Sequence, residues 1–145
     1  VQADNAVELF KAYDIIVDGT DNFPTRYLNN DASFFARKPL VYGSIFKFEG
    51  QVSLFNASYE APCYRCLYPD TGVESATCAM EGVIAPIVGV IGTLQALEAL
   101  NVILQTGEGL SGRVLAFDGI AMEWQSIVLK RNQDCPTCSS RTQFI

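Results

Sequence analysis

Apolar residues fall at helical spacing from Ala6 to Tyr13 (Ala-Val-Glu-Leu-Phe-Lys-Ala-Tyr), which predicts a short helix. Asp14-Ile15-Ile16-Val17-Asp18 follows without polar alternation, the pattern of a strand buried on both faces in a parallel sheet. Gly19-Thr20-Asp21-Asn22 breaks it. Pro24 then sits in the first turn of a helix that Asp21 or Asn22 can cap, with Tyr27, Leu28, Phe34 and Phe35 among its apolar residues up to Arg37. Lys38-Pro39 stops this helix, and Leu40-Val41-Tyr42-Gly43-Ser44 forms the next strand. Together these make one β-α-β unit.

Beyond it the pattern changes. Phe46 to Glu49 reads as a turn into a strand from Gly50 to Phe55, where Val52 and Leu54 alternate with Gln51 and Ser53. Such alternation predicts a sheet with one open face. Asn56 to Pro62 is a polar loop, and Tyr68 to Ala79 a second loop of small and polar residues. A long apolar helix follows from about Ile84 to Leu104, in which Gly89 and Gly92 are expected to allow close packing. Its uninterrupted apolar run ends near Thr93, with Gln95, Glu98 and Asn101 beyond, so it reads as a buried helix rather than a membrane span. Gly107 to Gly112 ends it, and Arg113–Asp118 and Met122–Leu129 form a late hairpin. There is no repeat, low-complexity tract or interdomain linker.

Composition narrows this picture. A chain of 145 residues, 49% hydrophobic and 18% charged, has room for one domain with a real core. A net charge of −6 without a basic run speaks against nucleic acid or anionic membrane as partners. With no histidine, His-based triads, His general bases and mixed Cys/His metal sites are all excluded. Val1 to Asn5 is polar and lacks the basic start of a secretory signal. The chain opens without Met and already inside what looks like a helix, and reads as a piece of a longer protein.

The five cysteines supply the sharpest motif. Cys63-Tyr64-Arg65-Cys66 and Cys135-Pro136-Thr137-Cys138 are two Cys-x-x-Cys pairs, the spacing of a tetrahedral four-cysteine zinc site. The alternatives are two local disulfides or a redox dithiol; the short loops and cytosol-like cysteine usage weigh against disulfides. Cys78 is left over, among small neighbours that would leave a thiol accessible; the plainer reading is a partly buried structural cysteine. Asp18, Asp21 and Asn22 stand at the carboxyl end of a strand and before a helix N-terminus, where ligands bind in open parallel sheets. That place suits a phosphate with its Mg²⁺, although residue types alone favour simple capping and turn closure. Glu81 and Glu98 lack partner spacing for acid–base work and read as solvated or capping. No Walker loop is present, and the glycines from Gly107 to Gly112 end a helix rather than follow a strand and open one, so they do not read as a dinucleotide fingerprint.

Taken in order, these segments resemble the ThiF/MoeB group of adenylyltransferases, relatives of the ubiquitin-activating enzymes. The resemblance rests on Asp18-Gly19-Thr20-Asp21-Asn22-Phe23 with Arg26 and Asn29, and on Gly50-Gln51-Val52. It continues through Pro62-Cys63-Tyr64-Arg65-Cys66-Leu67, Cys78 before Gly82-Val83, Gly89 to Ala99, and Arg131-Asn132 before the second cysteine pair. It implies a Rossmann-like α/β fold, of which residues 1–145 would be the C-terminal part of a single adenylation domain, with the glycine-rich half outside them. It implies adenylation of the C-terminal Gly-Gly carboxylate of a ubiquitin-like sulfur-carrier protein by Mg·ATP, with release of pyrophosphate. Asp21 then serves the Mg·ATP site, Asn22 borders the nucleotide, and Cys63, Cys66, Cys135 and Cys138 hold structural Zn²⁺. Cys78 matches a thiol that acts in covalent attachment or sulfur transfer in some members and is dispensable in others. A cytoplasmic homodimer that meets a sulfurtransferase donor is the implied setting. Ser33 stands where many relatives have cysteine, a change expected to be neutral. The rival reading from another class is a non-catalytic, zinc-stapled fragment that docks a ubiquitin-like partner.

Overall fold

The computed structural model describes residues 1–72 and 82–139. Helix α1 (Ala6–Lys11) turns Ala6 and Phe10 onto Ala32 and Ala36 of α2 (Phe23–Ala36), which joins two strands. Those strands, β1 (Ile16–Asp18) and β2 (Leu40–Phe46), pair in parallel, so the predicted β-α-β unit is present. Strand β3 (Glu49–Phe55) turns back against β2, and β4 (Arg113–Asp118) and β5 (Glu123–Val128) extend the sheet antiparallel. The order is β1-β2-β3-β4-β5. This is an α/β fold on a mixed sheet, with the late hairpin as expected.

Each helix boundary has a local cause. Asn22 caps α2 from extended backbone, its Oδ1 accepting from Thr25 N at 2.9 Å. At the other end Arg37 takes a left-handed conformation (φ 57°) and Lys38 N reaches back to Ser33 O at 2.9 Å. That is the closing geometry a helix adopts before a proline.

Helices cover opposite faces of the sheet. On one face α4 (Ala85–Leu104) lays Ile87 and Ile91 against Val41, Val52, Leu54 and Phe117. On the other, α3 (Tyr64–Leu67) and α2 close over Leu40, Tyr42 and Phe55 in an aromatic layer. Within it the Tyr64 ring lies 5.2 Å from that of Tyr42 and 5.5 Å from that of Tyr27.

Four expectations are corrected here. Strand β1 is not covered on both faces: it sits at the sheet edge, and Val17 is 51% exposed. Strand β3 is open only toward Glu49 and Gln51, because Ser53 is fully buried and its Oγ donates to Arg113 O at 2.8 Å. A hydroxyl tolerates burial when a carbonyl accepts its hydrogen bond. Helix α4 is buried along one stripe only, at Ile87, Ile91, Gln95 and Glu98, while Leu97, Leu100, Ile103 and Leu104 are exposed. It is one helix long and apolar enough to cross a membrane, and 22% of its apolar window is buried here. A helix lying on one sheet can cover only the side that touches it.

The glycines that let Gln95 and Ile91 of α4 approach the sheet lie on the strands. A Cβ at Gly43 would fall 2.3 Å from Cδ of Gln95, and one at Gly50 would fall 2.5 Å from Ile91 Cδ1. Gly89 and Gly92 of α4 have nothing within 4 Å of such a Cβ. The strand backbone is what recedes to let the helix approach.

Candidate functional site

Strand β1 carries Asp18 to its carboxyl end. Asp18 is buried, and its Oδ1 accepts from Thr20 N at 2.8 Å and from Thr20 Oγ1 at 2.7 Å. Its Oδ2 is buried with no hydrogen-bond partner among the described residues. The carbonyl of Thr20 accepts from Arg26 Nε at 3.2 Å and Nη2 at 2.9 Å, so a buried guanidinium on α2 fixes the loop from behind. From the other side Gln95 of α4 donates through Nε2 to Asp18 O at 2.8 Å. Next to this braced turn opens a cleft of about 360 Å³, lined by Gly19, Thr20, Asp21, Arg26, Gly43 and Gln95 among others.

Capping falls to Asn22 alone. Asp21 is exposed, and among the described residues its carboxylate meets Asn22, whose Nδ2 donates to Asp21 Oδ1 at 3.3 Å. Asp21 lines the cleft beside the N-terminus of a 14-residue helix. Glu98, expected to be solvated or capping, is buried, and its Oε1 accepts from Leu110 N at 2.6 Å. It pins the loop after α4 and takes no part in the cleft. Cys78 and Glu81 lie outside the described residues.

The two cysteine pairs meet. Their four sulfur atoms lie within 4.8 Å of one another. Individual Sγ separations are 3.9 Å for Cys63–Cys66, 3.5 Å for Cys63–Cys135 and 3.4 Å for Cys66–Cys138. Zn–S bonds of about 2.3 Å in a tetrahedron set sulfurs about 3.8 Å apart, so the donor set fits zinc. A disulfide needs about 2.05 Å, and all four are free cysteines. Hydrogen bonds with Cys138 and Cys63 hold the Cys66 thiol well below the usual thiol range, and those with Cys138 and Cys66, together with burial, push Cys63 up. A divalent cation would carry all four as thiolates. Each pair is a tight turn: Cys66 N bonds Cys63 O at 2.9 Å, and Ser139 N bonds Cys135 O at 3.2 Å. Asn132 N points at Cys66 Sγ from 3.4 Å, and Arg131 donates to the carbonyl of Cys138 while pairing with Glu60 at 3.3 Å.

Sequence reasoning missed what lies between cleft and clasp. Arg26, Asn29, Asn30 and Ser33 are all buried, and they stand at the i, i+3, i+4, i+7 spacing of one helix face. Helix α2 thus turns a polar stripe inward. Arg26 serves the cleft, as above. Asn30 Oδ1 accepts from Tyr64 N at 2.8 Å, and Asn56 Nδ2 donates to Asn30 O at 3.2 Å and to Ser33 Oγ at 2.7 Å. The Ser33 hydroxyl is therefore engaged, accepting from Asn56 and donating to Asn30 O at 3.1 Å. Beside the stripe, Asp31 takes Arg65 Nε at 2.9 Å and Nη2 at 2.7 Å, and Thr137 Oγ1 at 2.7 Å. The signal available in the sequence was the helical period of the polar residues, which reads as a solvated face until the helix is seen to bury it.

Comparison with known proteins bears on the whole arrangement. The ThiF family model matches residues 1–137. The sulfur carrier protein adenylyltransferase of Thermus thermophilus is 42% identical over 94% of this chain and 52% of its own length. The adenylyltransferase and sulfurtransferase MOCS3 of Dictyostelium discoideum is 45% identical over 99% of this chain and 35% of its own. This chain thus spans about half the length of the first and about a third of the second. A crystal structure of E. coli MccB with MccA-N7isoASN superposes with a TM-score of 0.78 over 97% of this chain and 44% of that one, at 17% identity. At that identity the likeness speaks for the fold alone.

Proposed function

The chain belongs to the ThiF family, and from that premise we propose that it is the C-terminal part of an ATP-dependent adenylyltransferase for a ubiquitin-like sulfur-carrier protein. The observation that carries the reading is an exposed aspartate, Asp21, lining a cleft at the carboxyl end of β1, beside the N-terminus of α2. The relatives' names, sulfur carrier protein adenylyltransferase and MOCS3, support the class of reaction.

In this reading the carrier's terminal carboxylate oxygen attacks the α-phosphorus of ATP. The bond to the β-phosphate oxygen breaks, pyrophosphate leaves, and the carrier acyl-adenylate remains. Mg²⁺, when bound with the nucleotide, neutralises phosphate charge. Asp21 would hold it, and the Asp18–Thr20–Arg26 bracing fixes the loop that carries Asp21. Asn22 borders the nucleotide while capping α2, and Arg26 keeps the loop closed without leaving its buried place. The glycine-rich phosphate loop comes from polypeptide outside these residues. Zn²⁺ held by Cys63, Cys66, Cys135 and Cys138 is structural, because four protein thiolates leave no open coordination position. The working form is a cytoplasmic homodimer, and Cys78 acts after adenylation, if a sulfurtransferase passes sulfur through it.

Pyrophosphate exchange with full-length protein, ATP and carrier tests this. Asp21→Ala is expected to lower the exchange rate by about 100-fold or more, the scale of losing a group that stabilises transition-state charge. Exchange at the wild-type rate would overturn the role of Asp21. Cys78→Ser is expected to leave exchange intact, and its loss in a folded variant would contradict the order of steps.

A further inference from the structure

Two cysteine pairs far apart in sequence must be brought together before a tetrahedral site exists, and one carboxylate touches both. Asp31, on α2, contributes no ligand. It reaches instead the residue before the second cysteine of each pair: Arg65 within Cys63–Cys66 and Thr137 within Cys135–Cys138. The guanidinium meets it in the two-pronged geometry that fixes orientation as well as distance, at 2.9 and 2.7 Å. The Thr137 hydroxyl donates to the same Oδ1 at 2.7 Å. Arg65 is held from a second side by the Tyr27 ring, 4.4 Å from its guanidinium carbon. The neighbouring Asn30 grips the first pair once more, through the Tyr64 N–H.

We propose that Asp31 is the positioning residue of the metal centre: it sets both cysteine turns at the separation zinc requires, so that the site is formed before the ion arrives and holds it longer once bound. This rests on the zinc reading given above. Physically, the bridge acts where a ligand shell is weakest. Each pair alone is a local turn; the Asn132 N–Cys66 Sγ contact and the Arg131–Glu60 pair tie their flanks, but neither reaches into both turns. A single carboxylate bonded to both holds one turn against the other. Outer-shell groups of this kind typically change metal affinity by about 10- to 100-fold.

The test is zinc release from the full-length, zinc-loaded protein into excess chromophoric chelator. Thr137→Val removes the hydroxyl at nearly constant shape, Thr137→Ser keeps it, and Asp31→Asn removes the charge. Ser53→Ala, which deletes a buried hydrogen bond to Arg113 away from the cysteines, serves as the control for lost stability. Far-UV circular dichroism selects a temperature at which all are folded. We expect release from Asp31→Asn and Thr137→Val to be about 10- to 100-fold faster than wild type, the range of outer-shell losses, with Thr137→Ser near wild type and Ser53→Ala unchanged. If Asp31→Asn does not fold, the Thr137 pair decides. Release from Thr137→Val no faster than from Thr137→Ser or Ser53→Ala overturns the proposal while leaving the zinc reading intact. A wild-type protein that purifies without zinc overturns both.

Discussion

At Gly43 the fold has no room for a side chain. Its added methyl would meet Cδ, Oε1 and Nε2 of Gln95 between 2.3 and 2.6 Å, and Gln95 is the side chain that holds the carbonyl of Asp18. Gly43→Ala therefore forces a choice between moving β2 and losing that hydrogen bond. We expect a loss of about 1–3 kcal/mol in urea unfolding, with the Gly43→Ala/Gln95→Ala double variant costing less than the sum of the two, since the clash is shared. Glu98 makes a second case. Its carboxylate is buried and takes the Leu110 N–H at 2.6 Å. Glu98→Ala leaves that N–H without an acceptor and is expected to cost about 1–3 kcal/mol by the same measurement.

Among the elements, α2 does the most. Its N-terminus faces the cleft, its buried polar stripe braces the cleft loop at one end, and its middle turn binds the cysteine pairs. Capping by Asn22 therefore matters beyond helix stability. Asn22→Ala removes the acceptor for Thr25 N and is expected to cost about 1 kcal/mol. In the proposed reaction it should also raise the KM for ATP more than it lowers kcat, because it loosens the loop beside the nucleotide. Unchanged stability would show that the cap bond is not formed in solution. Helix α4 is the contrasting element: nearly every residue is apolar, so its composition does not say which stripe faces the sheet. The choice follows from Gly43 and Gly50, which let Gln95 and Ile91 come close.

For the molecule as a whole, the clasp ties the segment after β5 to the segment after β3. In small zinc modules such a site contributes on the order of 10 kcal/mol to folding. Chelation of zinc is expected to lower the melting temperature by more than about 10 °C, given a contribution of that size. It should also expose the thiols of Cys63, Cys66, Cys135 and Cys138 to a colorimetric thiol reagent, and the two readouts together check the reading. The same loss should follow from acidification, since protons compete with the metal for the thiolates.

The sequence by itself determined the β-α-β unit, the late hairpin and the membership of the four clasp cysteines, because periodicity and short spacing are local properties of a chain. It also marked the stretch from Asp18 to Asn22 as the end of a strand before a helix. Tertiary structure alone decided which side of each element meets which neighbour. Asp21 and Asn22 look equivalent until one is seen capping and the other lining the cleft. The polar residues of α2 look solvated until the helix lies against α3 and the cysteine turns. Asp31 carries no sequence mark of its role, since its partners Arg65 and Thr137 come from separate segments and meet only when the chain has folded. A hydrogen bond between distant residues depends on packing, and packing depends on every element at once.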